Sequence, residues 1–146
     1  MVAGGVAILA AAWRPADPLD AVARQWIRTV VVACSLALVF EDVRDTGGDR
    51  AVGRRTAALV LGAWPVRLWF AALLTAIPVV AHILLFAPTG ADPARIALCD
   101  AALATAGRVP AVRALVLRHR DPDRVTYQLY IVSYVVVLSA GPVLWS

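Results

Sequence analysis

Apolar positions in this chain come in blocks rather than in a thin periodic stripe. Five such segments can be drawn, at residues 2–13, 26–40, 66–87, 95–117 and 126–145. The third and fifth are long enough, at about 1.5 Å of helical rise per residue, to cross a hydrocarbon layer of about 30 Å. The second, WIRTVVVACSLALVF, is slightly short, with Trp26 and Arg28 placed to anchor it at an interface. The fourth is interrupted by Asp100, Arg108, Pro110 and Arg113, which makes it a bundle-facing or kinked span or an interfacial helix. The first lacks the basic leader of a secretory signal and reads as the remnant of a span, so the chain looks truncated at its N-terminus. APTGADP at 87–93 and RHRDPD at 118–123 read as turns. The pattern predicts an all-α, multi-pass transmembrane bundle of about five spans, forming one membrane domain over residues 1–146.

Composition sharpens this picture. Of 146 residues, 61% are apolar, against roughly 45–50% in an ordinary soluble protein. Mean hydropathy is +0.75. The net charge of +4 and the pI near 9.8 come entirely from arginine. Those arginines sit in breaks between apolar runs, the distribution of membrane loops rather than of a nucleic-acid surface. Arg44, Arg50, Arg54 and Arg55 fall in one loop and Arg118, Arg120 and Arg124 in another. With five spans both loops lie on one side, which the positive-inside rule makes the cytoplasmic side of a bacterial cell membrane. Cys34 and Cys99 lie in apolar runs with no metal-ligand spacing and read as small core residues.

Residues 41–56, EDVRDTGGDRAVGRRT, break the apolar pattern with four carboxylates and four arginines. If the helix of the second segment continues past Phe40, Glu41, Asp42, Asp45 and Asp49 fall within one arc of about 100°. Gly47 and Gly48 favour unwinding it, and a loop would still keep Asp45 and Asp49 near each other. Carboxylates so close repel unless a cation neutralises them. Hard oxygen ligands suit Mg²⁺, which ordinarily binds one or two carboxylates and completes its shell with waters and substrate phosphate. Arg50, Arg54 and Arg55 are then placed to contact phosphate oxygens. A solvated loop in which acids and arginines merely neutralise one another is the competing reading. The spacing fits neither an EF-hand nor a GxxxxGK[ST] loop.

The stretch DVRDTGGDRAVGRRTAALVLG, from Asp42 to Gly62, resembles the second aspartate-rich motif of the UbiA superfamily of intramembrane prenyltransferases. That motif is DxxxD followed by a Gly, a basic residue, a Thr or Ser and an apolar run ending in Leu-Gly. Asp45, Asp49, Gly53, Arg55, Thr56, Leu61 and Gly62 occupy those positions. The resemblance implies the C-terminal half of a nine-helix prenyltransferase, transferring a prenyl group from a prenyl diphosphate to an aromatic or other lipid-soluble acceptor in the membrane. It assigns Mg²⁺ to Asp45 and Asp49, with Asp42 and Glu41 assisting. The family's other motif, NDxxDxxxD, is missing, since the chain has no Asn and no second DxxxD outside the cluster. A half-length chain is therefore expected, inactive alone, with a separate N-terminal half as a candidate partner. Two alternatives stay open: a related membrane terpene cyclase, and a degenerate half-length protein without activity.

Other polar residues carry weaker expectations. Asp100 lines a cavity or pairs with Arg108 or Arg113. His82 reads as an ordinary interfacial histidine, and Arg67, with Trp64 and Trp69, as an interface belt. Tyr127, Tyr130 and Tyr134 share a helical face and read as packing residues, with lining a carbocation cavity as the second option.

Overall fold

The computed structural model describes residues 21–117 and 120–145, apart from the side chains of residues 21–23, 34, 120–122 and 145. The segment at 2–13, Arg14 and Arg118, and the side chains of Cys34 and Arg120, lie outside the described residues. Among the described residues, six α-helices run in order: α1 (Ala21–Ala37), α2 (Glu41–Ala51), α3 (Ala57–Leu61), α4 (Ala63–Ala81), α5 (Pro93–Val116) and α6 (Arg120–Trp145). A 3-10 turn at Leu38–Phe40 joins α1 to α2, and a π-helical turn at His82–Phe86 extends α4. No strand occurs among the described residues, as the all-α expectation required.

Local chemistry sets the boundaries. Gly53 follows α2 at φ +68° and Gly62 separates α3 from α4 at φ +88°, both conformations that a residue with a Cβ avoids. Asp92 caps α5 by accepting from the Ala94 amide at 2.8 Å, with Pro93 at the first helical position. The turn expected at 87–93 is thus present, closed by Gly90 at φ +67°. Of the turn expected at 118–123, residues 120–123 belong to α6 instead, and 118–119 lie outside the described residues.

Helices α4, α5 and α6 pack side by side and α1 lies against α4. Along α6 the buried positions are Asp123, Thr126, Tyr130, Ser133, Val137, Ala140 and Leu144, an alternating 3–4 spacing that keeps one seam inward. Two apolar cores result. One gathers Phe40, Val43, Val66, Phe70, Leu74, Ala114 and Tyr130, the other Trp26, Val30, Leu85, Phe86, Leu103 and Val137, with Ile77 packed against both. Cys99 is a free thiol in the second core, as read from its apolar setting.

At the crossing of α4 and α5, a Cβ on Gly107 would stand 2.8 Å from the Leu74 carbonyl oxygen. Backbone cannot yield as a flexible side chain does. Gly107→Ala is therefore expected to cost about 1–3 kcal/mol, read as a lowered midpoint in thermal unfolding.

The five-span expectation is corrected by these helices. Among the described residues, two stretches are long and apolar enough to cross a membrane, Ala63–Thr89 and Asp123–Leu144. Helix α1 has 17 residues and exposes Arg24, Gln25 and Arg28, while α5 carries Asp100, Arg108 and Arg113. Neither offers the uninterrupted apolar length a span needs. An integral, multi-pass location in a bacterial cell membrane is thus not supported.

Candidate functional site

Helix α2 carries the acidic cluster, and it runs unbroken through Gly47 and Gly48. With no side chain beyond hydrogen, both glycines leave the helix open to its surroundings. Asp45 and Asp49, one turn apart, therefore face the same way. They line a cavity of about 480 Å³ together with Thr46, Arg44, Arg67 of α4 and Asp123 of α6.

Glu41 and Asp45 share one partner, Arg44, while Asp42 and Asp49 each have their own. Arg44 donates from Nε to Asp45 Oδ1 at 3.0 Å and from Nη2 to Asp45 Oδ2 at 2.7 Å, and it reaches Glu41 Oε1 at 3.1 Å. The two-pronged bond to Asp45, with the neighbouring Glu41 charge, holds the guanidinium still more firmly protonated than usual. Its face lies over the Tyr127 ring, 5.3 Å from the centroid. Burial and then the Glu41 charge push the Tyr127 phenol up from its ordinary pKa. Asp42 turns the other way: its Oδ2 accepts from the Ala57 amide at 3.2 Å and so fixes the start of α3. Asp49 is buried at 9% exposure, and its nearest cation, Arg54 Nη1, stands 3.8 Å away on a side chain 74% exposed.

The expected site residues thus separate. Asp45 and Asp49 meet in one cavity; Asp42 and Glu41 share the helix but do not line that cavity. Arg50, Arg54 and Arg55 are solvent-exposed around the end of α2, beyond its lining.

Three residues of the cavity escape a reading of the sequence. Arg44, counted there only for its charge, holds Asp45. Arg67, read as an interface anchor, is 5% exposed. It donates to Asp123 Oδ2 at 2.5 Å, to the Ala114 carbonyl at 2.8 Å and to the Leu117 carbonyl at 3.3 Å. Asp123, read as a turn residue, is 3% exposed, and its Oδ1 has no hydrogen-bond partner among the described residues. The available signal for Asp123 was its place on the 3–4 seam of α6.

At the far end of α4, about 22 Å along the helix from Arg67, His82 Nδ1 lies 2.7 Å from Asp100 Oδ2. Asp100 therefore pairs with histidine, where Arg108 or Arg113 had been expected. Tyr130 is buried and edge-on to Phe70, so packing is its role, as read from the helical spacing.

Among the described residues, no three His, Cys, Asp or Glu side chains gather closely enough to cage a metal alone. A Mg²⁺ site does not require that. Two carboxylates on one helical face, beside a buried carboxylate oxygen without a donor, match a metal whose shell is completed by water and phosphate.

No family model matches the chain, and no solved structure matches it. Among curated proteins, somaliensene A/B synthase of Streptomyces somaliensis is 36% identical over 138 residues, covering 94% of this chain and 46% of that enzyme. Diterpene cyclase eriG of Hericium erinaceus is 39% identical over 62 residues, covering 42% of this chain and 20% of that protein. The chain thus spans less than half the length of the curated relatives it matches. These relatives correct the resemblance drawn from the motif. Both are named for terpene synthesis or cyclisation, so assignment to the UbiA prenyltransferases does not hold. Transfer to an aromatic acceptor, membrane lipid as a partner and a separate N-terminal half are likewise unsupported. Terpene synthases use Mg²⁺ with prenyl diphosphates, and the expected Mg²⁺ agrees with them.

Proposed function

We propose that this chain is the diphosphate-binding part of a terpene cyclase, with Asp45 and Asp49 holding Mg²⁺ against a prenyl diphosphate. The observation that carries the reading is the placement of these two carboxylates, one turn apart on α2, in a cavity shared with Arg44, Arg67 and Asp123. The 36% identity to a terpene synthase along nearly the whole chain supports it.

The residues divide the work by position. Asp45 and Asp49 bind from one helical face, fixed because α2 leads directly out of α1 through the Leu38–Phe40 turn. Arg44 holds Asp45 in the free protein and turns to the diphosphate when the carboxylate takes a metal, since a guanidinium suits either anion. Arg50, Arg54 and Arg55 stand exposed beside the site to draw in and retain the anionic headgroup. Asp42 ties the following loop to α3 and is placed for positioning more than for ligation. Mg²⁺, when bound, supplies Lewis-acid neutralisation of the leaving diphosphate. Along α1 and α4 an apolar groove of about 370 Å³, lined by Val32, Leu36, Leu73, Ile77 and Leu84, suits a hydrocarbon tail. Cyclisation needs no external acceptor, because a double bond of the same prenyl chain attacks the allylic cation.

The test is equilibrium binding of geranylgeranyl diphosphate to the 146-residue chain, with Mg²⁺ and with EDTA. Asp45→Ala and Asp49→Ala are each expected to reduce binding in Mg²⁺ to the level seen in EDTA. Mg²⁺-dependent binding unchanged in both variants would show that the diphosphate is held elsewhere.

A further inference from the structure

Among the described residues, Asp123 is the one side chain lining the cavity that comes from α6, and its two oxygens differ. Oδ2 is held by Arg67, which is itself fixed by the carbonyls of Ala114 and Leu117. Oδ1 is buried and accepts nothing from the described residues. A carboxylate oxygen withdrawn from water without a donor loses its hydration for no return. The bonds of Arg67 to Asp123 Oδ2 and to the two carbonyls fix the orientation of the Asp123 carboxylate. The Asp123 side chain lines the same cavity as Asp45 and Asp49.

We propose that Asp123 Oδ1 is the acceptor for a water bound to the Mg²⁺ at Asp45 and Asp49, making Asp123 a positioning residue and Arg67 the clamp that aims it. The inference rests on the function proposed above. Mg²⁺ retains several waters, each of which has two protons to donate. A carboxylate fixed beside such waters orients them and adds negative charge without entering the metal's own shell. This agrees with the absence of a three-residue cage among the described residues. It also gives the buried Arg67–Asp123 pair a task beyond joining α4 to α6.

Metal affinity, rather than turnover, tests this. Mn²⁺ stands in for Mg²⁺, and its binding to the 146-residue chain is read as loss of the free-ion paramagnetic resonance signal, with and without inorganic pyrophosphate. Asp123→Asn keeps the shape but presents an amide that cannot supply the charge, and binding is expected to weaken about 10–100-fold. The double variant Arg67→Met with Asp123→Leu removes both charges together and so leaves no buried ion unpaired. It is expected to melt near the wild type and still to lose binding by a similar factor. Wild-type Mn²⁺ affinity in the folded double variant would overturn the proposal and reduce the pair to a structural tie. Asp45→Ala and Asp49→Ala serve as the separate control. If they too leave Mn²⁺ binding intact, the metal site itself is misplaced; if they abolish it while the double variant does not, only the role of Asp123 fails.

Discussion

Arg67→Met is expected to lower the stability of the fold by about 3–5 kcal/mol, because it strands the Asp123 carboxylate without its cation. Both side chains are nearly inaccessible, at 6% and 5% exposure, so water cannot replace the lost partner. Two further acceptors, the carbonyls of Ala114 and Leu117 near the end of α5, also lose their donor. A domain of this size has only about 5–15 kcal/mol in total, and the loss should lower the melting midpoint by more than about 10 °C. The paired substitution with Asp123→Leu should restore most of that, since two apolar side chains in place of a buried ion pair are often neutral or better. A double-mutant cycle by thermal unfolding measures the coupling directly. Near-additive losses would show that the two charges do not depend on each other.

That pair also marks the limit of what the sequence makes legible. Helices α4 and α6 are written as apolar runs, whereas the sequence leaves the continuity of α2 open, because the shared arc of its carboxylates presupposes a helix that Gly47 and Gly48 favour unwinding. Gly53 and Gly62 stand where the motif places them, and the structure gives the reason in their positive φ. Arg67 and Asp123, however, are 56 residues apart in sequence. Each alone resembles a residue of another kind, an interface anchor beside two tryptophans and an acid in a Pro-containing turn. Only the packing of α4 and α6 on either side of α5 brings them together. The alternating spacing of α6 did hold a clue, because Asp123 falls on the seam of Tyr130, Val137 and Leu144.

Membrane topology and the leading reaction class, prenyl transfer, failed for different reasons, while the terpene-cyclase alternative agrees in part with the relatives. Apolar content measures how much surface avoids water, but not how that surface divides into helices long enough to span. Once α1 stops at Ala37 and the polar residues of α5 are placed, two of the drawn segments no longer qualify. In the function proposed above, the aspartate motif recognises a metal-bound prenyl diphosphate. Prenyl transfer and terpene cyclisation both begin by ionising that group, so the same carboxylates serve either outcome. The choice depends on what meets the cation next, which is set by the cavity around the hydrocarbon tail and not by the diphosphate ligands.

Phe70→Ala is expected to be as damaging as loss of Arg67, at about 3–5 kcal/mol for removal of a fully buried phenylalanine. Phe70 is inaccessible and sits between two other rings, stacked on Phe40 at 4.2 Å and meeting Tyr130 edge-on at 5.7 Å. Phe40 is the residue immediately before α2, and Arg67 lies over its other surroundings at 5.7 Å from the ring centroid. Tyr130 in turn neighbours Tyr127, on which Arg44 rests. Phe70 thus ties the root of α2 to α6, and a void there should loosen the helix that carries Asp45 and Asp49. The expected result is a large fall in the unfolding midpoint together with weaker Mn²⁺ binding, measured at a temperature where the variant is still folded. Phe70→Leu retains most of the volume and should cost far less in both measurements. A Phe70→Ala protein that loses stability but binds the metal as tightly as wild type would show that α2 is positioned independently of this aromatic core. Its alignment would then depend on the Asp42 bond to Ala57 and on the Leu38–Phe40 turn alone.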